Sequence, residues 1–537
     1  MAHQFKIACF SIAFLILGFI QINRPAIAQE NAIAASIKTA LMSATATSKG
    51  PKARLKAIRD WYERNNHNPV WLKYGVPSAK AKAMVDVLLS AREEALAPSD
   101  YNAAALSKLL DDGSAVGLTK LEIGLTRSLA AYGQHLNAGR VRPAAVNREI
   151  VLYPKAIEVD AILLAAIQSR DLPETLRTLA PQTPRYDRMR KQLAKLRYTS
   201  SKGGWVSLPE GLLLQPGTEN DAVLTLAHRL GQSGDIKGAV ITGNEYNDTL
   251  VDAVKRFQAR MGLEADGVVG PGTLKVLNTP VERRIRDIEL NMERRRWMQN
   301  DYGPYYIFVN LADQVLKLVK EEKTIHTALV QVGKPFHRTP VFSDTMEYLE
   351  LNPYWNVPYS IATKEYLPKL KRNPGVLARQ NIEVLRGGKA VNANSIPWSQ
   401  YSRAKFPFRL RQKPGKKNAL GRIKFMFPNK YNIYIHDTPS KANFGRTSRY
   451  FSHGCVRVKN PLALAELILK SEGWTRPKID KIIRSGKRTV KKLKGQIPVH
   501  VAYLTAWVNK DGSVHYRNDI YGRDKILTKA LTRVRGG

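Results

Sequence analysis

His436 stands nineteen positions before Cys455, and the two sit in short apolar-flanked stretches, Tyr434-Ile435-His436-Asp437-Thr438-Pro439 and Ser452-His453-Gly454-Cys455-Val456-Arg457-Val458. A thiol attacks a carbonyl as its thiolate, and a free cysteine has a pKa of about 8.5, so an imidazole and positive surroundings are needed to supply the nucleophile at neutral pH. His436, at the end of a short strand running into a turn, is the candidate base. His453, Arg446, Arg449 and Arg457 make the neighbourhood electropositive. Gly454 allows a tight turn, so that the N–H groups of Gly454 and Cys455 could face the oxyanion of a tetrahedral intermediate. Two other readings fit the same residues. Cysteine is among the most buried residue types, and a histidine closing a strand often makes one structural hydrogen bond. Zinc is the third reading, with His436, His453 and Cys455 as ligands, although no fourth ligand or second cysteine pair accompanies them.

The cysteine count depends on where the chain goes. Ile7 to Ile20 is an apolar run of fourteen residues, preceded by Lys6 and followed by the small-x-small triplet Ala26-Ile27-Ala28. This reads as a secretory signal cleaved after Ala28. A spanning helix wants about 20 apolar residues, and Asn23, Arg24 and Pro25 close this run early. The alternative is an uncleaved anchor, which would be the chain's sole membrane contact. Cleavage removes Cys9 and leaves Cys455 as the one thiol, unable to form an intrachain disulfide. A lone thiol in an oxidising compartment is either buried or used. Lys and Arg total 85 against 45 Asp and Glu, a net charge of +40, and such a surface attracts polyanions. Export makes nucleic acid a poor partner and acidic wall polymers or lipid headgroups better ones. With 44% hydrophobic and 24% charged residues, the composition excludes a disordered basic chain and a multi-span membrane protein.

A length of 537 residues predicts three or four domains with separate cores. After the signal at 1–28, residues 29–51 are rich in Ala, Ser and Thr and read as a linker. Residues 52–202 are helical, with stripes Ala81, Met84, Leu88, Ala91 and Leu121, Leu125, Leu129, Tyr132 at the spacing of a buried face. Trp61 and Trp71 read as packing residues. Residues 218–280 hold three short helices punctuated by Asp266-Gly267 and Gly270-Pro271. Residues 281–302 read as a basic, solvated connecting helix. From 303 to 522 the pattern is that of strands, interrupted at 361–414 by an insertion and closing on a hairpin in which Val499 to Val508 and Val514 to Tyr516 flank Lys510-Asp511-Gly512. Residues 523–537 read as a basic tail. The fold class is multidomain α+β.

His436, the basic loop and Ser452-His453-Gly454-Cys455-Val456-Arg457 resemble the signature of the L,D-transpeptidases, cysteine enzymes that cross-link peptidoglycan. The resemblance extends through Asn352-Pro353-Tyr354-Trp355-Asn356-Val357-Pro358 and Leu420-Gly421-Arg422, while Phe257-Gln258, Gly262-Leu263, Asp266-Gly267 and Leu277-Asn278 resemble a small peptidoglycan-binding domain. It implies a large family member with a helical scaffold domain, a wall-binding module and a mixed-β catalytic domain bearing a capping insertion. It further implies Cys455 as nucleophile, His436 as base, the Asp437 carbonyl orienting the imidazole, and Tyr434 adding a hydroxyl to an oxyanion site that also includes Gly454 and His453. Arg457 would bind a stem carboxylate or hold its loop, and Trp355 and Asn356 would line the donor groove. The implied reaction releases D-alanine from a tetrapeptide stem and passes the acyl group to a diaminopimelate amine, a 3→3 cross-link, without metal or cofactor. L,D-carboxypeptidase action, D-amino-acid exchange and a non-catalytic wall-binding scaffold remain alternatives. Peptidoglycan is the implied partner, the periplasm or cell wall the implied location, and carbapenems the implied inhibitors.

Overall fold

The computed structural model describes residues 29–46, 48–236, 242–298 and 302–535. The secretory-signal reading of residues 1–28 lies outside them. Among the described residues no helix is long and apolar enough to cross a membrane.

Residues 29–43 are helical rather than a tether. Ile33, Ile37 and Leu41 recur every fourth position, one face of a helix, and all three are buried; the Ala-rich sequence between them hides the stripe. This helix joins Lys49–Arg64, Ala79–Leu89, Val159–Gln168 and Pro184–Ser201 around the long helix Ala115–Ala138. Ser114 begins that helix by accepting from the Gly117 N–H, the usual N-cap bond. Both sequence stripes face inward, and Trp61 and Trp71 are packed beside them.

The helices Ala222–Ser233, Asp248–Met261 and Pro271–Leu277 form the small module. Asn247 caps the second through the Leu250 N–H, and Gly262 ends it at φ 72°, a left-handed conformation that suits glycine. Gln258 pins the following turn, donating to Asp266 at 2.7 Å and accepting from the Gly267 N–H at 2.9 Å. The expected separation into independent cores does not hold here. One apolar cluster runs from Ile33 through Leu129, Phe257 and Leu277 to Val508 and Tyr516, so the module cannot be cut away without exposing scaffold residues.

Helix Val281–Arg296 corrects the reading of a solvated connector. Arg284, Arg294 and Arg296 are buried, paired with Asp287, Asp524 and Glu293 at 3.4, 2.6 and 3.1 Å. Ile288 and Met292 belong to the helical core while Leu290 belongs to the core of the sheet, so this helix joins the two.

Among the described residues the main sheet has ten strands, one of which, Tyr450–Ser452, pairs in parallel with Lys323–Gly333 off the main path. Ile423–Met426 pairs with Ile435–His436, followed by Val456–Val458, Lys323–Gly333, Val315–Lys320, Tyr305–Asn310, Thr489–Ala502 and Val341–Leu351. Val341–Leu351 then pairs back onto Ile423–Met426, closing the circuit and removing open edges. Ile150–Val151, from within the helical region, adds parallel to Val341 and Phe342. The predicted terminal hairpin forms between Ala506–Val508 and Val514–Tyr516, but it packs on the helical core and not on the sheet. The insertion is a cap with a four-stranded sheet and its own core around Leu370, Val384, Trp398, Phe408 and Leu410. It begins at Trp355–Asn356, which form its edge strand, earlier than residue 361. Residues 523–535 are a helix, not a tail, anchored by the buried Arg523, Asp524 and Leu527.

Candidate active site

Strands Ile435–His436 and Val456–Val458 run parallel, with Ile435 opposite Val456 and His436 opposite Arg457. The Val456 N–H donates to the Tyr434 carbonyl at 3.1 Å. Ile435, Val456 and Val458 are fully buried in the sheet core, so strand alternation places Tyr434, His436, Cys455 and Arg457 together on the opposite face. Neighbouring strands extend the row. Gln331 lies opposite Arg457, Lys424 opposite His436, and Glu350 opposite Lys424. Lys424 was not singled out from the sequence, although its place between the apolar Ile423 and Phe425 marks it as facing away from the core.

His436 is buried, and its Nδ1 lies 2.5 Å from the Asp437 carbonyl. A carbonyl only accepts, so Nδ1 carries the proton and Nε2 is the basic nitrogen. Burial and then the Arg457 charge push the imidazole down to about 3, against the pull of the Asp437 and Leu420 carbonyls. The ring is therefore neutral at physiological pH. The Asp437 carboxylate accepts from the Arg422 N–H at 2.8 Å and from Lys441 at 2.5 Å, which holds the segment that carries the carbonyl.

Cys455 is a free, half-buried thiol whose Sγ lies 3.6 Å from the Asn432 carbonyl. Burial raises its pKa, and hydrogen bonds from Tyr434 with the Lys424 and Arg457 charges oppose that rise without cancelling it. Of the positive residues expected from the sequence, Arg457 acts on the thiol, joined there by Lys424, while the other three are engaged elsewhere. Arg449 is buried against the backbone carbonyls of Val330, Arg446, Thr447 and Gln314, Arg446 lies over the Phe451 ring, and His453 is held toward its neutral form by burial. Among the described hydrogen bonds none joins His436 to Cys455; the two are diagonal neighbours across the parallel strand pair. The resting pair is thiol and imidazole. The expected outcome is an iodoacetamide reaction whose rate keeps rising through a midpoint above the ordinary thiol value of about 8.5, because a raised pKa lowers the thiolate fraction at pH 7. A plateau reached below pH 8 would show a preformed ion pair instead.

Gly454, one of the donors expected to face an oxyanion, is already engaged. Gly454 adopts φ 120°, its N–H donates to Ser452 Oγ at 3.0 Å, and its carbonyl accepts from Thr339 Oγ1 at 2.7 Å. Its N–H is therefore occupied. The Cys455 N–H, which makes none of the described hydrogen bonds, and the Tyr434 hydroxyl are the donors left near Sγ. Burial holds the Tyr434 phenol protonated. His453 turns to the cap, 2.9 Å from Glu365, so it neither orients the thiol nor converges with His436 and Cys455 as the zinc reading requires. Among the described residues no three His, Cys, Asp or Glu side chains are placed to share a metal. Arg457 reaches Gln331 at 3.4 Å and keeps an Nε with no protein partner. Trp355 packs half-buried against the cap core, and Asn356 is exposed on the same edge strand.

Three family models match the chain: a scaffold domain over residues 56–193, a peptidoglycan binding domain over 219–277, and the L,D-transpeptidase catalytic domain over 304–493. A Haemophilus influenzae protein provisionally named as an L,D-transpeptidase is 36% identical over 244 residues, 45% of this chain and 49% of that protein; the match thus spans about half the length of this relative. An L,D-transpeptidase crystal structure from Stackebrandtia nassauensis covers 54% of this chain and 94% of its own at 16% identity and a TM-score of 0.22. One from Xylanimonas cellulosilytica covers 55% and 98% at 16% identity and a TM-score of 0.18. Likenesses at these scores carry no detail of the site.

Proposed function

We propose that this chain, which carries an L,D-transpeptidase catalytic domain beside a scaffold and a peptidoglycan-binding domain, forms 3→3 cross-links in peptidoglycan. Cys455 attacks the carbonyl between the third residue and the terminal D-alanine of a tetrapeptide stem while His436 Nε2 takes the thiol proton. The oxyanion is met by the Cys455 N–H and the Tyr434 hydroxyl. As the tetrahedral intermediate collapses, the C–N bond breaks, the imidazolium returns the proton to the leaving amine, and D-alanine departs. A diaminopimelate amine on a neighbouring stem then attacks the thioester, its proton passing to His436 and on to the departing sulfur. Arg457, with its unpaired Nε, suits a stem carboxylate.

The observation that supports this reading best is the grouping of Cys455, Tyr434 and His436 on one face of adjacent parallel strands. The charge of +40 favours association with an acidic wall polymer, and the site of action is the periplasm or cell wall, with the membrane involved only through an uncleaved signal. Incubating residues 29–537 with purified tetrapeptide muropeptides and weighing the products tests the assignment. A cross-linked dimer with free D-alanine is expected. Tripeptide alone would replace cross-linking by hydrolysis, exchange of the terminal residue would point to D-amino-acid transfer, and unchanged substrate would leave a wall-binding scaffold.

A further inference from the structure

Lys424 stands in the site, and the proposed reaction leaves it without a task. Its neighbours on strand Ile423–Met426, Ile423 and Phe425, are buried in the sheet core. Strand alternation therefore sends Lys424 to the opposite face, the one that carries Tyr434, His436, Cys455 and Arg457. The strand pairs antiparallel with Ile435–His436, and Lys424 lies opposite His436. Tyr434, two residues earlier on the same face, is its diagonal neighbour, within reach of a long side chain. The reach is made: Nζ lies 4.1 Å from the centre of the Tyr434 ring, inside the ~6 Å range of a cation–π contact.

A lysine placed here for a structural ion pair would meet Glu350, which stands opposite it on strand Val341–Leu351. Glu350 is buried, and its Oε1 accepts instead from Arg488 Nε at 2.5 Å. Among the described hydrogen bonds and ion pairs none involves the Lys424 ammonium; its described contact is the Tyr434 ring. The charge is nevertheless felt at the thiol. Burial raises the Cys455 pKa, and the opposing influences are the Tyr434 backbone, the Lys424 charge, the Tyr434 hydroxyl and then Arg457.

The ring in that contact belongs to a residue whose work depends on its aim. Tyr434 is half-buried, and its other ring neighbour is His436, 5.5 Å away between centroids at 58°. A misplacement of about 1 Å beside reacting atoms can cost about 100-fold in rate. A cation fixed on the ring limits such movement.

We propose that Lys424 is a positioning residue for acyl transfer, its ammonium clamping the Tyr434 ring so that the hydroxyl stays aimed at the reacting sulfur and the oxyanion that follows. This rests on Cys455 being the nucleophile of the proposed reaction. There the thiol proton passes to His436 Nε2, sulfur bonds to the carbonyl carbon, and the displaced π pair becomes the oxyanion that the hydroxyl meets. A cation on that ring favours the charged state over the neutral resting pair.

The test applies two thiol reactions to residues 29–537: acylation by a carbapenem, followed by intact mass, and alkylation by iodoacetamide across pH. Lys424→Met keeps the length and loses the charge. Acylation is expected to slow about 10-fold, less than the loss of an oxyanion donor itself. The alkylation midpoint should rise, because a cation that favoured the thiolate is gone. The other groups at the thiol, His436, Tyr434 and Arg457, are unchanged in this variant, as are Glu350 and Arg488 beside Lys424. Lys424→Arg, which keeps the charge and stacks on aromatic faces, should recover most of both losses. Tyr434→Phe should itself slow acylation, and combining it with Lys424→Met should add little, since residues acting through one contact are non-additive. Losses that multiply in the double variant would overturn the proposal. So would an unshifted midpoint in Lys424→Met, the result of lost packing alone. Should that variant melt below the assay temperature, Lys424→Gln takes its place in the same comparison. A parent that takes no carbapenem and makes no dimer, with coupling still present in alkylation at pH 7, would sink the acyl-transfer reading and leave the clamp on Tyr434.

Discussion

Cys455→Ala is expected to abolish cross-linking and D-alanine release, by at least about 10³-fold, the scale on which covalent enzymes lose rate when the nucleophile is removed. The fold should survive, because Cys455 is half-buried and only packs at the margin of the sheet core. The same substitution separates chemistry from binding through a β-lactam. A thiol that opens a stem-peptide amide should also open a strained lactam ring, leaving an acyl group on sulfur whose loss needs water in a site shaped for an amine. Intact-protein mass measurement should show one carbapenem-sized adduct on the parent chain and none on Cys455→Ala. His436→Ala should acylate more slowly, since no neutral imidazole would remain to take the thiol proton. A parent chain that resists carbapenem while reacting with iodoacetamide would have an accessible thiol outside any acyl-transfer site, and the scaffold reading would replace the enzyme.

The motif was legible because its chemistry is local. His436 and Cys455 fall on adjacent strands joined by one loop, so types and spacing alone nominate them. What surrounds them was not. Lys424, Glu350 and Glu365 reach the site or its rim from distant stretches of chain, and nothing local to the motif signals a strand register. The Gly454 N–H was misassigned because its loss to Ser452 Oγ depends on the φ of one residue. Burial explains the sign error on the thiol: positive neighbours suggest a lowered pKa, but desolvation is the larger influence. The helical regions failed differently. The stripe at Ile33, Ile37 and Leu41 was read as a tether because small polar residues outnumber it, and the last helix as a tail because its charges hide Leu527.

Helix Val281–Arg296 gives that lesson its strongest test, because a run of arginines reads as surface until the carboxylates that meet it are placed. Glu293 is 2% exposed. Its Oε1 accepts from the Arg140 and Val141 N–H groups at 2.6 and 3.2 Å, and its Oε2 from Arg296 Nη1 at 3.1 Å. Arg296 in turn donates to the Tyr186 hydroxyl at 2.8 Å, and that hydroxyl donates to Glu94 at 2.8 Å. Glu293→Leu would leave two backbone N–H groups and part of a buried guanidinium without acceptors, and breaking one partner of a buried pair costs about 3–5 kcal/mol. Arg286, exposed on the same helix, should tolerate alanine within about 0.5 kcal/mol. Urea unfolding followed by helical circular dichroism compares the two, with an unchanged slope required before midpoints are read as stability. A midpoint for Glu293→Leu no lower than for Arg286→Ala would return the helix to the role of a connector. A large loss would make it the element through which the helical core, Asp524 of the final helix and the sheet bearing Cys455 hold one geometry.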